Sequence, residues 1–165
     1  MSLLRKKDRA GDVSDPAKLL IIDHEKVERI FTQLEEAESN AQRASLAAQL
    51  TSELTRHTEL EEQILYPFVR ANVEDGPSMV DEANHEHGEA KQLIGRLEAM
   101  DATAPEFMGM VTALKKVVEH HVKEEEKTLF PKLESSVSAE RLAYLRGELE
   151  RSKFASTVRD LPEED

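Results

Sequence analysis

Four histidines in this chain stand at spacings that suit a cation. His57, Glu61, Glu62, Leu65 and Pro67 recur as His121, Glu125, Glu126, Leu129 and Pro131 within an aligned segment of eleven residues. Upstream of each copy stands one further histidine, His24 and His87. The residues after them also align: Val27, Ile30, Phe31, Leu34 and Glu35 against Ala90, Leu93, Ile94, Leu97 and Glu98. On a helix, residues i and i+4 share a face one turn apart. His57 with Glu61, and His121 with Glu125, therefore reach the same region between helices. Four neutral imidazoles and two carboxylates suit iron, manganese or zinc, and burying such groups without a cation or a proton is costly. One histidine on a helix is more often an ordinary core or surface group, and a glutamate four residues away is more often a solvated face. Two copies at equivalent repeat positions tip the reading towards a metal site formed by His24, His57, Glu61, His87, His121 and Glu125.

To meet, these six residues need four helices around one axis. Asp15 and Pro16 suit a helix start. Leu19, Leu20, Val27, Ile30, Phe31 and Leu34 keep helical period to about Glu38. A second helix is expected over 41–70, with Pro67 ending or kinking it. Asp75, Gly76 and Pro77 form a turn, and a third helix covers 78–100. Thr103 and Glu106 resemble a capping box before a fourth helix that runs to about Glu134. Ser138 caps a short fifth helix, to about Lys153. No sustained alternation marks a strand. The fold class is all-α, an up-down-up-down four-helix bundle with a short C-terminal fifth helix. The expected organisation is a flexible arm over 1–14, the bundle over 15–136, and the short helix with an acidic tail over 137–165. Met79, Met100, Met108 and Met110 are core fillers.

Bulk composition narrows the function classes. The 165 residues suit one domain, and 39% hydrophobic with 34% charged residues describes a globular chain. A net charge of −12 disfavours nucleic acid and anionic membranes as partners. The absence of cysteine excludes disulfides, thiolate zinc sites, iron–sulfur clusters and cysteine nucleophiles. No apolar run reaches membrane-spanning length. Arg5, Lys6, Lys7 and Arg9 lack a following apolar stretch, so no secretory signal is read, and the expected location is cytoplasmic.

Asp23-His24, the segment from His57 through Glu61, Glu62, Leu65, Tyr66 and Pro67, Glu86-His87, and the segment from His121 through Glu125, Glu126, Leu129, Phe130 and Pro131 together resemble the hemerythrin-like, or HHE cation-binding, family. The likeness runs from about Asp15 to Leu133. It implies two iron ions joined by an oxygen bridge, with Glu61 and Glu125 as bridging carboxylates and His24, His57, His87 and His121 as terminal imidazoles. Oxygen-carrying members have a further histidine four residues before the one matching His87, where this chain has Ala83. Two six-coordinate ions need about 12 positions, and the implied ligands leave about two of them open. His85 is about 200° around the helix from His87 and faces elsewhere, while His120 falls on a flank. Glu28 is a lesser candidate for an additional ligand or an outer hydrogen-bond acceptor. Glu62 and Glu126 suit outer partners rather than ligands, and Tyr66 suits packing, since its counterpart is Phe130, with a redox or hydrogen-bonding role as the lesser reading.

Open positions favour small-molecule chemistry over reversible dioxygen carriage. The function expected is a non-haem di-iron protein that reacts with or binds oxygen, nitric oxide or hydrogen peroxide, in a stress response. The alternative is a dioxygen or iron binding or sensing protein without turnover. A structural bundle that retains inert histidine pairs is the third reading.

Overall fold

A computed structural model of the chain describes residues 15–159, and every element in it is helical. The expected arm over 1–14 and the acidic tail with Asp160, Glu163, Glu164 and Asp165 lie outside the described residues. Helix α1 (Asp15–Glu36) runs antiparallel to α2 (Asn40–Leu60), which continues through a π-helical turn, Glu61–Leu65, into α3 (Tyr66–Asn72). Helix α4 (Gly76–Glu98) pairs with α5 (Phe107–Glu124), which likewise passes through a π-turn, Glu125–Leu129, into α6 (Phe130–Ser136). Helix α7 (Ala139–Arg159) then packs along α1. Four long helical columns and a fifth helix match the architecture expected from the sequence. The fifth is 21 residues long rather than short.

Local chemistry explains most boundaries. Ser39 caps α2 by accepting from the Gln42 N–H at 3.1 Å, and Ser138 caps α7 by accepting from Arg141 at 3.3 Å. Gly76 opens α4 because a Cβ there would collide with the Val69 carbonyl oxygen. The expected capping box is not formed. Thr103 instead donates through its N–H and hydroxyl to Asp101, and Glu106 begins α5 with no side-chain cap. With its N–H and hydroxyl both given to Asp101, Thr103 is left with neither of the bonds a box needs.

Pro67 and Pro131 do not end their helices. Each lacks an N–H, so the ladder must give way just before it. The preceding turn opens instead: the Tyr66 N–H donates to the Glu61 carbonyl and the Phe130 N–H to the Glu125 carbonyl, both five residues back. In an α-helix five residues subtend about 140° beyond a full turn. The wider π-turn brings Glu61 and Tyr66 nearly onto one face, as it does Glu125 and Phe130.

Two apolar clusters fill the bundle. One includes Leu20, Leu65, Tyr66, Val69, Phe130 and Leu133, closed by Leu145 and Leu149 of α7. The other includes Phe31, Leu34, Leu50, Phe107, Val111 and Leu114. Met79 packs on the first, and Met100, Met108 and Met110 on the second, as expected of core fillers. Along every column the polar residues fall in the gap between the clusters: His24, then His57 and Glu61, then His87, then His121 and Glu125.

Candidate metal centre

All six residues singled out by the repeat meet in that gap, and all six are buried. His24 Nε2 and His57 Nε2 are 3.1 Å apart, and His87 Nε2 and His121 Nε2 are 3.0 Å apart. Glu61 Oε1 lies 3.1 Å from His57 Nε2, 3.3 Å from His87 Nε2 and 3.6 Å from His121 Nε2. Glu125 Oε1 lies 3.2 Å from His24 Nε2 and 3.4 Å from His121 Nε2. Two groups of candidate ligand atoms result. His24, His57, Glu61 and Glu125 form the first, while Glu61, His87 and His121 form the second. Glu61 belongs to both.

The donor set fits a cation. Glu61 is wholly buried, and neither of its oxygens makes a hydrogen bond of acceptable geometry despite the nearby imidazoles; Glu125 Oε1 is in the same position. Such atoms are costly to bury unless something neutralises them. Two donors at right angles, each about 2.1 Å from one ion, stand about 3.0 Å apart. The paired Nε2 atoms have that separation.

The outward nitrogens add a second layer. His57 Nδ1 lies 3.1 Å from Asp23, and His121 Nδ1 lies 3.1 Å from Glu86. His87 Nδ1 is 3.4 Å from Glu62, and His24 Nδ1 is 3.6 Å from Glu126. The first two are hydrogen bonds within a hairpin, and the last two are looser approaches between hairpins. A carboxylate that accepts from Nδ1–H leaves the lone pair on Nε2, the atom that faces the centre in all four rings. Glu62 and Glu126 thus take the outer place expected of them. Asp23 and Glu86 were not assigned this role from sequence, although an acid directly before each first-helix histidine was a visible signal.

Charges in the cluster hold one another. Burial opposes charge on the His57 imidazole, but the Glu61 and Asp23 carboxylates outweigh it and raise its pKa to about 10. His24 is raised in the same way, against burial, by Glu125 and Glu126. His121 is raised well above the usual imidazole range against burial, by Glu125, Glu61 and Glu86. Burial pushes the Glu61 carboxyl up, yet the charge of His57, with the polar groups of Glu125 and His121 beside it, holds it well below the usual range. In the metal-free protein, protons therefore stand in for cations.

Tyr66 departs from the packing role expected of it. The π-turn carries its phenol into the centre, where O–H donates to Glu125 Oε2 at 2.8 Å. The same oxygen lies 3.1 Å from His87 Nε2 and 3.3 Å from His121 Nε2. Burial, followed by the charges of Glu125 and Glu61, pushes its pKa well above the ordinary tyrosine value, so the phenol stays neutral. Phe130, its repeat partner, stacks on His24 at 6.1 Å and brings no hydroxyl. Ala83 is buried in the same apolar cluster as Tyr66, and the phenol reaches the half of the centre formed by Glu61, His87 and His121. Glu28 is half-buried and outside both ligand groups. His85 pairs with Glu89 on the surface, as expected of a residue facing elsewhere. His120 is exposed and contacts Glu86 at 3.1 Å, on the flank.

Beside the four imidazoles lies a cavity of about 30 Å³, with Leu54, Ile94 and Val118 in its lining. It has room for one or two water-sized molecules. No helix among the described residues is long and apolar enough to cross a membrane.

The fold and the buried histidine–carboxylate cluster define a cation-binding helical bundle. The family model for the hemerythrin HHE cation-binding domain matches residues 15–133, and the chain belongs to that family. It is 33% identical over 132 residues to a protein of a Nostoc species named DNA nickase, covering 80% of this chain and 37% of that one. It is 28% identical over 132 residues to an uncharacterized hemerythrin-like protein of Schizosaccharomyces pombe, covering 79% and 65%. The chain thus spans between about a third and two thirds of the length of these relatives. A crystal structure of a hemerythrin HHE cation-binding domain protein, the Rv2633c homolog from Mycobacterium kansasii, superposes with a TM-score of 0.70 at 22% identity, covering 86% of this chain and 89% of that one. That likeness concerns the fold.

Proposed function

We propose that the chain is a non-haem di-iron protein that binds or reacts with a small neutral ligand, namely oxygen, nitric oxide or hydrogen peroxide. The observation that carries this reading is the convergence of four buried imidazole Nε2 atoms on two buried carboxylates, with each Nδ1 facing an outer carboxylate. His24, His57, Glu61 and Glu125 would hold one ion, and Glu61, His87 and His121 the other, with Glu61 and Glu125 as the bridging carboxylates. Iron bound there supplies one-electron redox chemistry and Lewis acidity.

The chain's own residues select and assist the ligand. Leu54, Ile94 and Val118 make the cavity apolar and small, which favours neutral molecules of two to four atoms over anions or organic substrates. Tyr66 does not line that cavity; it keeps its proton beside the second position, in a hydrogen bond to Glu125. The net charge of −12 is unfavourable for phosphate-backbone contact, so a nucleic-acid role is not part of this reading.

A second reading, binding or sensing without turnover, draws on Tyr66. Its phenol oxygen lies 3.1 Å from His87 Nε2 and 3.3 Å from His121 Nε2, so it would stand beside an ion held there and crowd a position that the ligand count leaves open. One experiment addresses both. Protein purified without a histidine tag is analysed for metal, its absorption spectrum is recorded, and peroxide turnover is measured. About two irons per chain with turnover supports the first reading, and two irons with a stable ligand spectrum and no turnover supports the second. A chain that takes up no metal sinks both.

A further inference from the structure

Helix α7 is joined to the centre by a chain of polar contacts. Lys153 Nζ lies 2.6 Å from Asp23 Oδ1, and Asp23 Oδ2 lies 3.1 Å from His57 Nδ1. His57 Nε2 in turn faces Glu61 and His24 at 3.1 Å each. Lys153 stands beyond the residues matched by the family model, so it reaches the centre from outside the four-helix unit. It is placed there by the rest of α7. Leu145 and Leu149 are buried in the core, Arg146 donates to the Asp15 carbonyl at 3.0 Å, and Arg141 lies over the Phe68 ring. Lys153 follows Leu149 by four residues and therefore shares its inward face.

The two halves differ here. Glu86, the repeat counterpart of Asp23, meets His120 of α5 instead of a lysine from α7. The second half has its own lysine, Lys91, which holds Glu62 at 2.8 and 2.9 Å, but Glu62 is the looser partner of His87. Each half therefore carries a lysine–carboxylate–imidazole chain, and the one entering from α7 is the tighter at its imidazole.

We propose that Lys153 is a positioning residue for the first half of the centre. By holding Asp23 in place it fixes the ring of His57 with Nε2 inward, so α7 governs how firmly the position formed by His24, His57, Glu61 and Glu125 keeps its cation. The position formed by Glu61, His87 and His121 does not depend on it. This rests on the two-cation reading above. Outer partners of a ligating histidine typically change metal affinity by about tenfold to a hundredfold, and Lys153 acts one contact further out, so the effect expected is about tenfold.

Zinc(II) serves as the probe because it is diamagnetic and redox-silent. The full chain is loaded with two zinc ions and titrated with a chelator, and the solvent exchange of each ligand imidazole N–H is followed by NMR. In Lys153→Met one zinc is expected to leave at about tenfold lower chelator concentration while the other is unchanged. The His57 Nδ1–H should exchange faster and that of His87 should not. Lys153→Arg should restore both readouts, and Lys91→Met should affect His87 instead. Equal loosening of both ions, or unchanged release and exchange in Lys153→Met, overturns the proposal while leaving the metal reading intact. A parent protein that binds no zinc or iron overturns the metal reading itself, and this proposal with it. Lys153→Gln repeats the measurement should Lys153→Met fold poorly.

Discussion

Replacing Tyr66 by phenylalanine isolates one hydrogen bond at the centre of the molecule. The phenol donates to Glu125 Oε2 at 2.8 Å from a site that is 1% exposed, and phenylalanine fills the same ring volume. A hydrogen bond to a charged group contributes about 1.5–3 kcal/mol, and the acceptor left behind is a buried carboxylate. Metal-free Tyr66→Phe should therefore lose about 2 kcal/mol. For a chain of this size that lowers Tm by about 4–8 °C. The assay is urea and thermal unfolding of chelator-treated protein followed by far-ultraviolet circular dichroism, with Tyr144→Phe as the exposed control. A second arm uses pH. Burial and the nearby carboxylates raise the Tyr66 pKa in the folded protein, so the unfolded chain gives up this proton first. The associated stability is full below about pH 10 and falls as pH rises above that. Tyr66→Phe should flatten this fall. A loss below about 0.5 kcal/mol, together with an unchanged alkaline limb, would refute the placement of the phenol against Glu125.

Glu61→Ala should cost more metal than any other single carboxylate change, because Glu61 belongs to both ligand groups. Glu125→Ala should follow, and Glu62→Ala or Glu126→Ala should cost least; equal losses by metal analysis would mean the wrong carboxylates were chosen. Metal loading should release protons. With its pKa raised to about 10, metal-free His57 contributes stability that is full below about pH 6.5 and is lost as pH rises through 10. A cation must displace that proton, so affinity should climb across this window and acid should expel the metal; an indicator dye in weakly buffered solution that registers no proton release contradicts this. Ala83→His should place an imidazole one turn before His87, but Ala83 is 4% exposed and shares its cluster with Tyr66 and Phe130. Overpacking should cost about 1–3 kcal/mol, and in a double-mutant cycle Tyr66→Ala should cost less in the Ala83→His chain than in the parent. Strictly additive losses in that cycle would place residue 83 away from the phenol.

The amino-acid sequence alone determined the helices and the six converging side chains. That was possible because both rest on local geometry: a period of 3.6 residues puts His57 with Glu61, and His121 with Glu125, on one face, and a visible repeat doubles the signal. Boundaries governed by nearby residues, such as the Ser138 cap, were legible for the same reason. Tertiary structure decided the rest. Pro67 read as a stop or kink, yet the bundle carries its helix, and the one that holds Pro131, onward by opening a π-turn. Beyond the turns, Tyr66, Val69, Phe130 and Leu133 of α3 and α6 are buried in the core. The same turn swings Tyr66 from the packing position an α-helical count gives it into hydrogen-bonding distance of Glu125, His87 and His121. The outer carboxylates depend on distance across helices. Asp23 and Glu86 flank their neighbouring histidines in sequence but hold His57 and His121, more than thirty residues away. Lys153 is further still, at |i−j| = 130 from Asp23. No periodicity links such pairs; only the docking of α7 on α1, driven by burial of Leu145 and Leu149, brings that lysine to the centre.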